Sequence, residues 1–426
     1  MDRKIIINAI GTLGDLHPLI AVAQALKAKG VTCVFATSYD HVEKIRAAGF
    51  EAHGIVKGHL ALAADMGFTE EAFMKELMTN QKDMMQKFVL DPMSGSISEL
   101  ETCMDGAVAI IGSPFSYAGQ TVADKYELPF LMTVLQPGLM SSYYNPMVSP
   151  DFPVLIAPAK NPPSRFWNKA WMGFLKFAGR VLFSKSINAV RMKHGAAEKP
   201  HLPIFASSDS PLYLGLYSDV LGRVEPDMYP QTHIAGFPIF DSVNGDTAKL
   251  PPALDRFLKA GPPPLVFGLG SLAFHAAGDF FKESIRLAKA LDRRAVLLTG
   301  QEMSLPQSPD IFVTAYAPHS ELFPRAAAII HHGGIGSTGR ALQAGKPQLI
   351  VPINGDQFDN GRRVKDLGIG AVLPLKKYNA RRAEGFLRTL LDDKTLRRSA
   401  KKIGEKVSQE KGAQAAAALI LECLDG

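Results

Sequence analysis

Residues 5–36 read IIINAIGTLGDLHPLIAVAQALKAKGVTCVFA. Ile5 to Ile10 is a short apolar run of strand length, and a Gly-rich loop, Gly11 to Asp15, follows it. Pro18 stands where a helix can open, Leu19 to Lys29 has helical spacing, and Gly30 stops it. Val31 to Ala36 is then a second buried strand. Strand, helix, strand in so short a span places the two strands side by side and parallel, and so defines an α/β chain.

The same rhythm extends outward. Val108 to Ile111, Pro129 to Leu135, Leu212 to Tyr217 and the region of Ile234 read as strands, with a helix over Tyr117 to Lys125. The rhythm breaks at residues 241–264, which hold Asp241-Ser242-Val243-Asn244-Gly245-Asp246, Pro251-Pro252 and Gly261-Pro262-Pro263-Pro264. It restarts with strands at Leu265 to Leu269, Ala295 to Leu298, Ile311 to Tyr316, Ala328 to His331 and Gln348 to Ile353. Helices fall at Asp279 to Leu291, 336–344 and 356–367. We therefore expect two Rossmann-like, doubly wound parallel-sheet domains facing across a cleft. Residues 1–240 form one, 241–264 a linker and 265–426 the other, with the last helix packing back on the first. Ligands of such sheets sit at the carboxyl ends of the strands.

Composition narrows the function. Apolar residues make up 46% of the 426, enough to build cores and to exclude disorder as the main state. Three scattered cysteines, Cys33, Cys103 and Cys423, exclude a disulfide scaffold. The first residues lack the apolar stretch of a signal peptide, and no run of about 18 apolar residues predicts a membrane span. The net charge of +6 suits anionic substrates but is too small to define a nucleic-acid binder.

The motif richest in chemistry is His331-His332-Gly333-Gly334-Ile335-Gly336-Ser337-Thr338. A buried strand ends on two histidines, glycines follow, and a helix starts. Bare backbone at a helix N-terminus attracts anions, and Ser337 adds a hydroxyl donor. Successive strand residues face opposite ways, so one histidine faces the cleft and the other packs. A plain glycine turn with a core histidine is the competing reading.

Around this motif lie Tyr316-Ala317-Pro318-His319, Gly345-Lys346-Pro347 and Asp356-Gln357-Phe358-Asp359-Asn360. This set resembles the nucleotide-sugar signature of family 1 (UDP-glycosyltransferase-like) enzymes with the GT-B fold. Gly268-Leu269-Gly270-Ser271 resembles their phosphate-side loop. Within the family, Gly236 to Asp241 and Ile187 to Arg191 are most similar to bacterial enzymes such as the rhamnosyltransferases of rhamnolipid synthesis. The resemblance implies that the first domain binds acceptor and the second nucleotide sugar. It implies a donor site in which Tyr316 stacks on the base, the backbone at Ala317 and Pro318 reads its edge, and His332, Gly334, Gly336, Ser337 and Ser271 hold the diphosphate. Asp356 and Gln357 contact sugar hydroxyls, and Gly14 borders the donor. Plant members carry a ribose-binding glutamate three residues after the signature serine. Here Arg340 stands there, which makes a deoxyribose donor such as a dTDP-sugar credible beside UDP.

Gly14-Asp15-Leu16-His17-Pro18 occupies the place of the family's acceptor-side base. The resemblance puts that role on Asp15, an ionised carboxylate able to take a hydroxyl proton. An N-cap role for Asp15 and a base or relay role for His17 are the alternatives. From Phe152 to Ala197 there are eight Lys or Arg and no Asp or Glu. At 100° per residue Arg165, Lys169, Lys176 and Arg180 share one stripe, with Phe166, Trp167, Trp171, Phe174, Phe177 and Val181 on the other faces. A core-packed helix with one solvated stripe is the bland expectation. The sharper ones are an acceptor-pocket wall built by Trp167, Trp171 and Phe174, or a membrane-surface contact. The methionines Met66, Met74, Met78, Met84, Met85 and Met93 read as core packing ahead of an adaptable acceptor site.

The reading as a whole is an inverting glycosyltransferase that needs no metal or other cofactor. It moves a hexose from a dTDP- or UDP-sugar to a hydroxyl of a lipid or other hydrophobic small molecule, in the cytoplasm or peripherally at the inner face of the membrane, with no nucleic-acid partner. No Asp-x-Asp motif occurs. The alternatives are an aromatic or polyketide acceptor, and a GT-B-like protein that binds nucleotide sugar or lipid without turnover. A nicotinamide oxidoreductase lacks its Gly-x-Gly-x-x-Gly fingerprint here.

Overall fold

The computed structural model describes residues 3–65, 67–68, 86–148, 156–199, 209–240, 249–270, 278–306 and 308–426. Strands β1 (Lys4–Ala9), β2 (Thr32–Ser38), β3 (Glu51–Val56), β4 (Ala107–Gly112), β5 (Phe130–Val134), β6 (Tyr213–Gly215) and β7 (Thr232–Ile234) form one sheet in the order β3-β2-β1-β4-β5-β6-β7. Strands β8 (Leu265–Gly268), β9 (Ala295–Leu298), β10 (Ile311–Thr314), β11 (Ala328–His331), β12 (Gln348–Ile350) and β13 (Gly370–Val372) form the second, in the order β10-β9-β8-β11-β12-β13. The pairings are parallel in both. Ile5, Ile6 and Ile7 are all at 0% exposure, because helices cover both faces of a parallel sheet. The fold is thus the expected pair of doubly wound domains. Strand order reverses beside β1 in one sheet and beside β8 in the other. At such switch points the loops after neighbouring strands part and leave a crevice.

The helices that shape the cleft and its surroundings are α1 (Leu13–Lys27), α2 (Tyr117–Lys125), α3 (Pro162–Lys193), α4 (Ile335–Gln343), α5 (Asp356–Asp366) and α6 (Gly412–Asp425). Helix α1 starts well before Pro18, the expected first residue. Thr12 is its N-cap, and Pro18 is carried inside the helix. A proline there has no N–H to return to the carbonyl four residues back, so Gly14 keeps an open acceptor.

Packing ties the halves together. Helix α6 buries Ala416, Ala417 and Ile420 in the core formed by Ile5, Ile7, Leu19 and Leu26, so it crosses back onto the first sheet. The helix Pro252–Lys259 buries Leu254 and Leu258 against Val266, Val296 and Ile329. The packed layer of the second half therefore begins inside the stretch read as linker. Residues 241–248 lie outside the described residues, as do Met66, Met74, Met78, Met84 and Met85. Met93 is in the core.

A charged latch also joins the halves. Asp359 (1% exposed) and Arg363 (4% exposed) lie one turn apart on α5. Arg363 Nε donates to Asp359 Oδ2 at 2.7 Å. Its Nη1 and Nη2 donate to the carbonyls of Leu221 (3.0 Å) and Asn145 (3.1 Å) in the first half. Asp359 Oδ1 accepts the Val148 amide at 3.1 Å and Arg362 Nη2 at 2.9 Å.

Helix α3 departs from the bland expectation. Phe166, Trp167, Phe174, Phe177, Val181 and Leu182 are exposed. Arg165 instead lies over the Tyr144 ring, Lys169 over the Tyr143 ring, and Lys176 is desolvated, which lowers its pKa. Arg165 and Lys176 of the cation stripe are only partly exposed, Lys169 and Arg180 remain exposed, and Phe166, Trp167, Phe174 and Phe177 look outward.

Candidate active site

The loops after β1, β8 and β11 open onto one cavity of about 660 Å³ between the two sheets. Thr12, Gly14, Asp15 and His17 form its first-domain wall, with Phe237 and Phe240. Gly270, Tyr316, His319, His332, Gly334, Gly336, Ser337, Arg340, Asp356 and Gln357 come from the second half.

Asp15 is in the first turn of α1, three residues past the cap. Its Oδ2 accepts the Thr12 amide at 2.7 Å and the Thr12 hydroxyl at 3.0 Å. The N-cap alternative is thereby corrected: Thr12 caps, and Asp15 closes the capping box. Among the described residues Oδ1 accepts no bond. Burial raises the carboxyl pKa, and the Thr12 hydrogen bonds and His41 oppose the shift. Gly11 (φ +129°) makes room for this carboxylate, because a Cβ there would stand 2.4 Å from Oδ2. His17 lies on the same wall, its ring 5.4 Å from that of Phe240.

The two histidines divide as strand geometry requires. His331 is 2% exposed, its Nε2 is 3.0 Å from Gln348 Oε1, and its Nδ1 accepts the Gly333 amide at 3.2 Å. A ring that accepts at Nδ1 donates from Nε2 and is neutral. Burial accordingly pushes its pKa down to about 4. His332 sits between two glycines. A Cβ on Gly334 would lie 2.4 Å from its Nε2, and one on Gly270 2.5 Å from its Cε1. Burial, then His331 and His319, push His332 down to about 3, so it is a neutral donor near pH 7. Its Nδ1 is buried and has no partner among the described residues. Gly334 precedes α4, whose first amides, through Ser337, have no intrahelical acceptor and point at the same space.

Asp356 opens α5 on the opposite wall. Its Oδ2 accepts Asn360 Nδ2 at 3.0 Å, and the same nitrogen donates to the Gly333 carbonyl at 3.0 Å. Burial and the facing charge of Asp15 push Asp356 up to about 6. The Oε1 of Gln357 is taken by the amides of Ile353 (2.8 Å) and Asn354 (3.3 Å), which leaves its NH₂ to donate.

Tyr316 is exposed at 47% on the cavity wall, and the buried Ala317 (0%) and Pro318 follow it, neither of them among the residues that line the cavity. His319, stacked on Phe323 at 4.3 Å, stands on the wall beside Tyr316. Sequence reasoning gave His319 no role, although its place directly after the aromatic-Ala-Pro run was a usable signal. Trp167, Trp171 and Phe174 do not line this cavity. They belong to α3, where Trp167 and Phe174 are more than half exposed. Ser271 lies outside the described residues. Among the described residues no group of three or more His, Cys, Asp or Glu is arranged to hold a metal.

Comparison with known proteins gives the class. Residues 5–144 match the glycosyltransferase family 28 N-terminal domain, and residues 287–421 match the erythromycin biosynthesis protein CIII-like C-terminal domain. The sterol 3-beta-glucosyltransferase of Debaryomyces hansenii is 26% identical over 432 residues, covering 95% of this chain and 26% of its own length. The O-mycaminosyltylonolide 6-deoxyallosyltransferase of Streptomyces fradiae is 26% identical over 440 residues, 98% of this chain and 97% of its own. The solved glycosyltransferase VinC in complex with dTDP matches with a TM-score of 0.71 at 17% identity, covering 99% of each chain. The chain thus spans only about a quarter of the yeast sterol enzyme but nearly all of the bacterial one. Its fold is the GT-B fold, and its first half matches a glycosyltransferase domain. The relatives carry the names of sterol and antibiotic enzymes and do not single out the rhamnolipid branch.

Proposed function

We propose that the chain transfers a hexose, with inversion and without a metal, from a dTDP- or UDP-sugar to a hydroxyl of a lipid or other hydrophobic small molecule. The observation that carries this is the convergence of Asp15 from one switch point and His332 with the α4 N-terminus from the other on a single cavity. The acceptor oxygen attacks the anomeric carbon from the face opposite the diphosphate. The carbon–oxygen bond to the diphosphate breaks, and Asp15 takes the hydroxyl proton. The leaving charge meets the His332 donor, the Ser337 hydroxyl and the positive end of α4, a preorganised field that serves where a cation otherwise would. Gln357 donates to a sugar hydroxyl, and Asp356 accepts one. Tyr316 and His319 flank the base. The enzyme works in the cytoplasm, peripherally where its apolar acceptor resides. An aromatic or polyketide acceptor is the second reading, favoured by the full-length match to the deoxyallosyltransferase of Streptomyces fradiae. A donor-hydrolysis screen over dTDP- and UDP-sugars, read by mass spectrometry, tests the reading. No turnover of any of them defeats it.

Two results follow for the donor side. His332→Ala loses a hydrogen bond to a charged phosphate, worth about 1.5–3 kcal/mol, so dTDP affinity falls by roughly 10- to 150-fold. Unchanged affinity in calorimetry removes His332 from the diphosphate site. Arg340 lines the cavity and donates to Gln343 Oε1 at 3.2 Å, so no carboxylate at this place rewards a ribose 2′-hydroxyl. A site built to bond a hydroxyl rejects its absence by about 10⁴–10⁵. Competition of dTDP with UDP is expected to show no such gap, and a strong UDP preference traced to the ribose refutes this.

A further inference from the structure

Helix α3 is built inside out. Its buried residues are Asn168, Ile187, Asn188 and Arg191, three of them polar. Asn168 Nδ2 donates to the carbonyls of Tyr143 (2.9 Å) and Ala157 (2.8 Å). Asn188 Nδ2 donates to the Lys199 carbonyl at 2.9 Å, and Arg191 Nη2 to Asp124 Oδ2 at 2.6 Å. Polar pins thus hold the helix to the first domain. Its large apolar side chains face away, with Phe166 at 74% exposure, Val181 at 65% and Phe177 at 63%. Phe166, Ala170, Phe174, Phe177 and Val181 fall within an arc of about 80° on the helical wheel. Lys169 and Arg180 border that arc on one side, and Lys185 lies by its other edge. All three are exposed.

We propose that this face docks the protein on an anionic lipid bilayer, with α3 lying in the plane of the interface and its aromatic side chains in the acyl boundary. The charge pattern selects this occupant over a second copy of the chain. No Asp or Glu occurs between Pro162 and Lys193. Two such faces stacked together would therefore oppose cations with no carboxylate between them, whereas anionic headgroups complement the border. The span from Phe166 to Leu182 is about 24 Å long at 1.5 Å per residue, and such helices insert roughly 5–10 Å deep. No helix among the described residues is long and apolar enough to cross a membrane, so the contact is one of surface insertion. The inference does not depend on the donor chemistry proposed above.

The chain carries its own probe. Its only two tryptophans, Trp167 and Trp171, are both on this helix. The full protein is mixed with vesicles of phosphatidylcholine alone or with about a third phosphatidylglycerol, at low and high salt. Co-sedimentation, tryptophan emission and donor hydrolysis are followed together. We expect binding to the anionic vesicles at low salt with a blue shift in emission. Binding should weaken at high salt, since each surface cation contributes about a fivefold factor that salt screens. Phe174→Ser with Phe177→Ser should reduce binding by roughly tenfold or more. Lys169→Glu with Arg180→Glu should reduce it on anionic vesicles only. Donor hydrolysis should stay unchanged in both double variants. The inference is overturned if the native protein stays in the supernatant at low salt, if neutral vesicles bind it equally well, or if sedimentation equilibrium shows a dimer that Phe177→Ser dissolves. Loss of hydrolysis in the native protein counts instead against the proposed reaction.

Discussion

Asp15→Asn is expected to lower turnover by about 10²–10⁴-fold, the usual cost of a lost general base, while dTDP affinity and melting temperature stay near those of the native protein. The amide is the informative replacement. Its carbonyl can still accept the Thr12 amide and hydroxyl that Asp15 Oδ2 now holds, so α1 keeps its capping box. What is lost is the ability to take a proton. The acid limb of the pH–rate profile should also be displaced. Burial raises the Asp15 pKa, and only the ionised form accepts a proton, so activity falls with decreasing pH through a pKa above the ordinary 3.8. Asp356, pushed up to about 6 across the cleft, gains its proton on the same limb. Turnover above a tenth of the native value in Asp15→Asn would leave that carboxylate a capping group and move attention to His17.

The second large effect is on stability. Asp359→Ala is expected to cost about 3–5 kcal/mol, because it leaves Arg363 buried without its partner. The Val148 amide loses its acceptor at the same time. Replacing both members, Asp359→Ala with Arg363→Met, should recover part of that loss, since an apolar pair need not be desolvated. Denaturant midpoints of the three proteins check this. A single variant within about 1 kcal/mol of native would mean that the bonds of Arg363 to Asn145 and Leu221 alone hold the halves together, well short of the usual cost of an orphaned buried charge.

The alternation of buried strands with helices was legible because runs such as Ala295–Leu298 and Leu265 to Phe267 are apolar throughout, as strands covered on both faces must be. The Gly-rich turn at His332 was legible because glycines at a strand–helix junction have few other uses. The start of α1 was not. Pro18 looked like a first helical residue, but the Thr12–Asp15 box begins the helix earlier, and the lost Gly14–Pro18 bond is tolerated at the cleft surface. Nor was the outward face of α3. A 100° repeat shows that a helix has two faces, but which one meets protein is decided by partners far away in sequence, here Tyr143, Tyr144 and Asp124. The pairing of Asp15 with Asp356 across the cleft depends on domain placement, which no local pattern carries.

The return of α6 to the first sheet bears on how the chain is made. As the polypeptide leaves the ribosome, β1 to β7 are complete long before Gly412 to Asp425 is synthesised. Until then the surface of α1 that Ala416, Ala417 and Ile420 will cover faces water. Domains generally fold as units in the order of their synthesis, yet the first domain here cannot close its core until the second has been translated. Its nascent form presents a bare apolar groove, a natural point for chaperone engagement. A chain that stalls before Gly412 would keep both sheets and still lack the segment that seals the first.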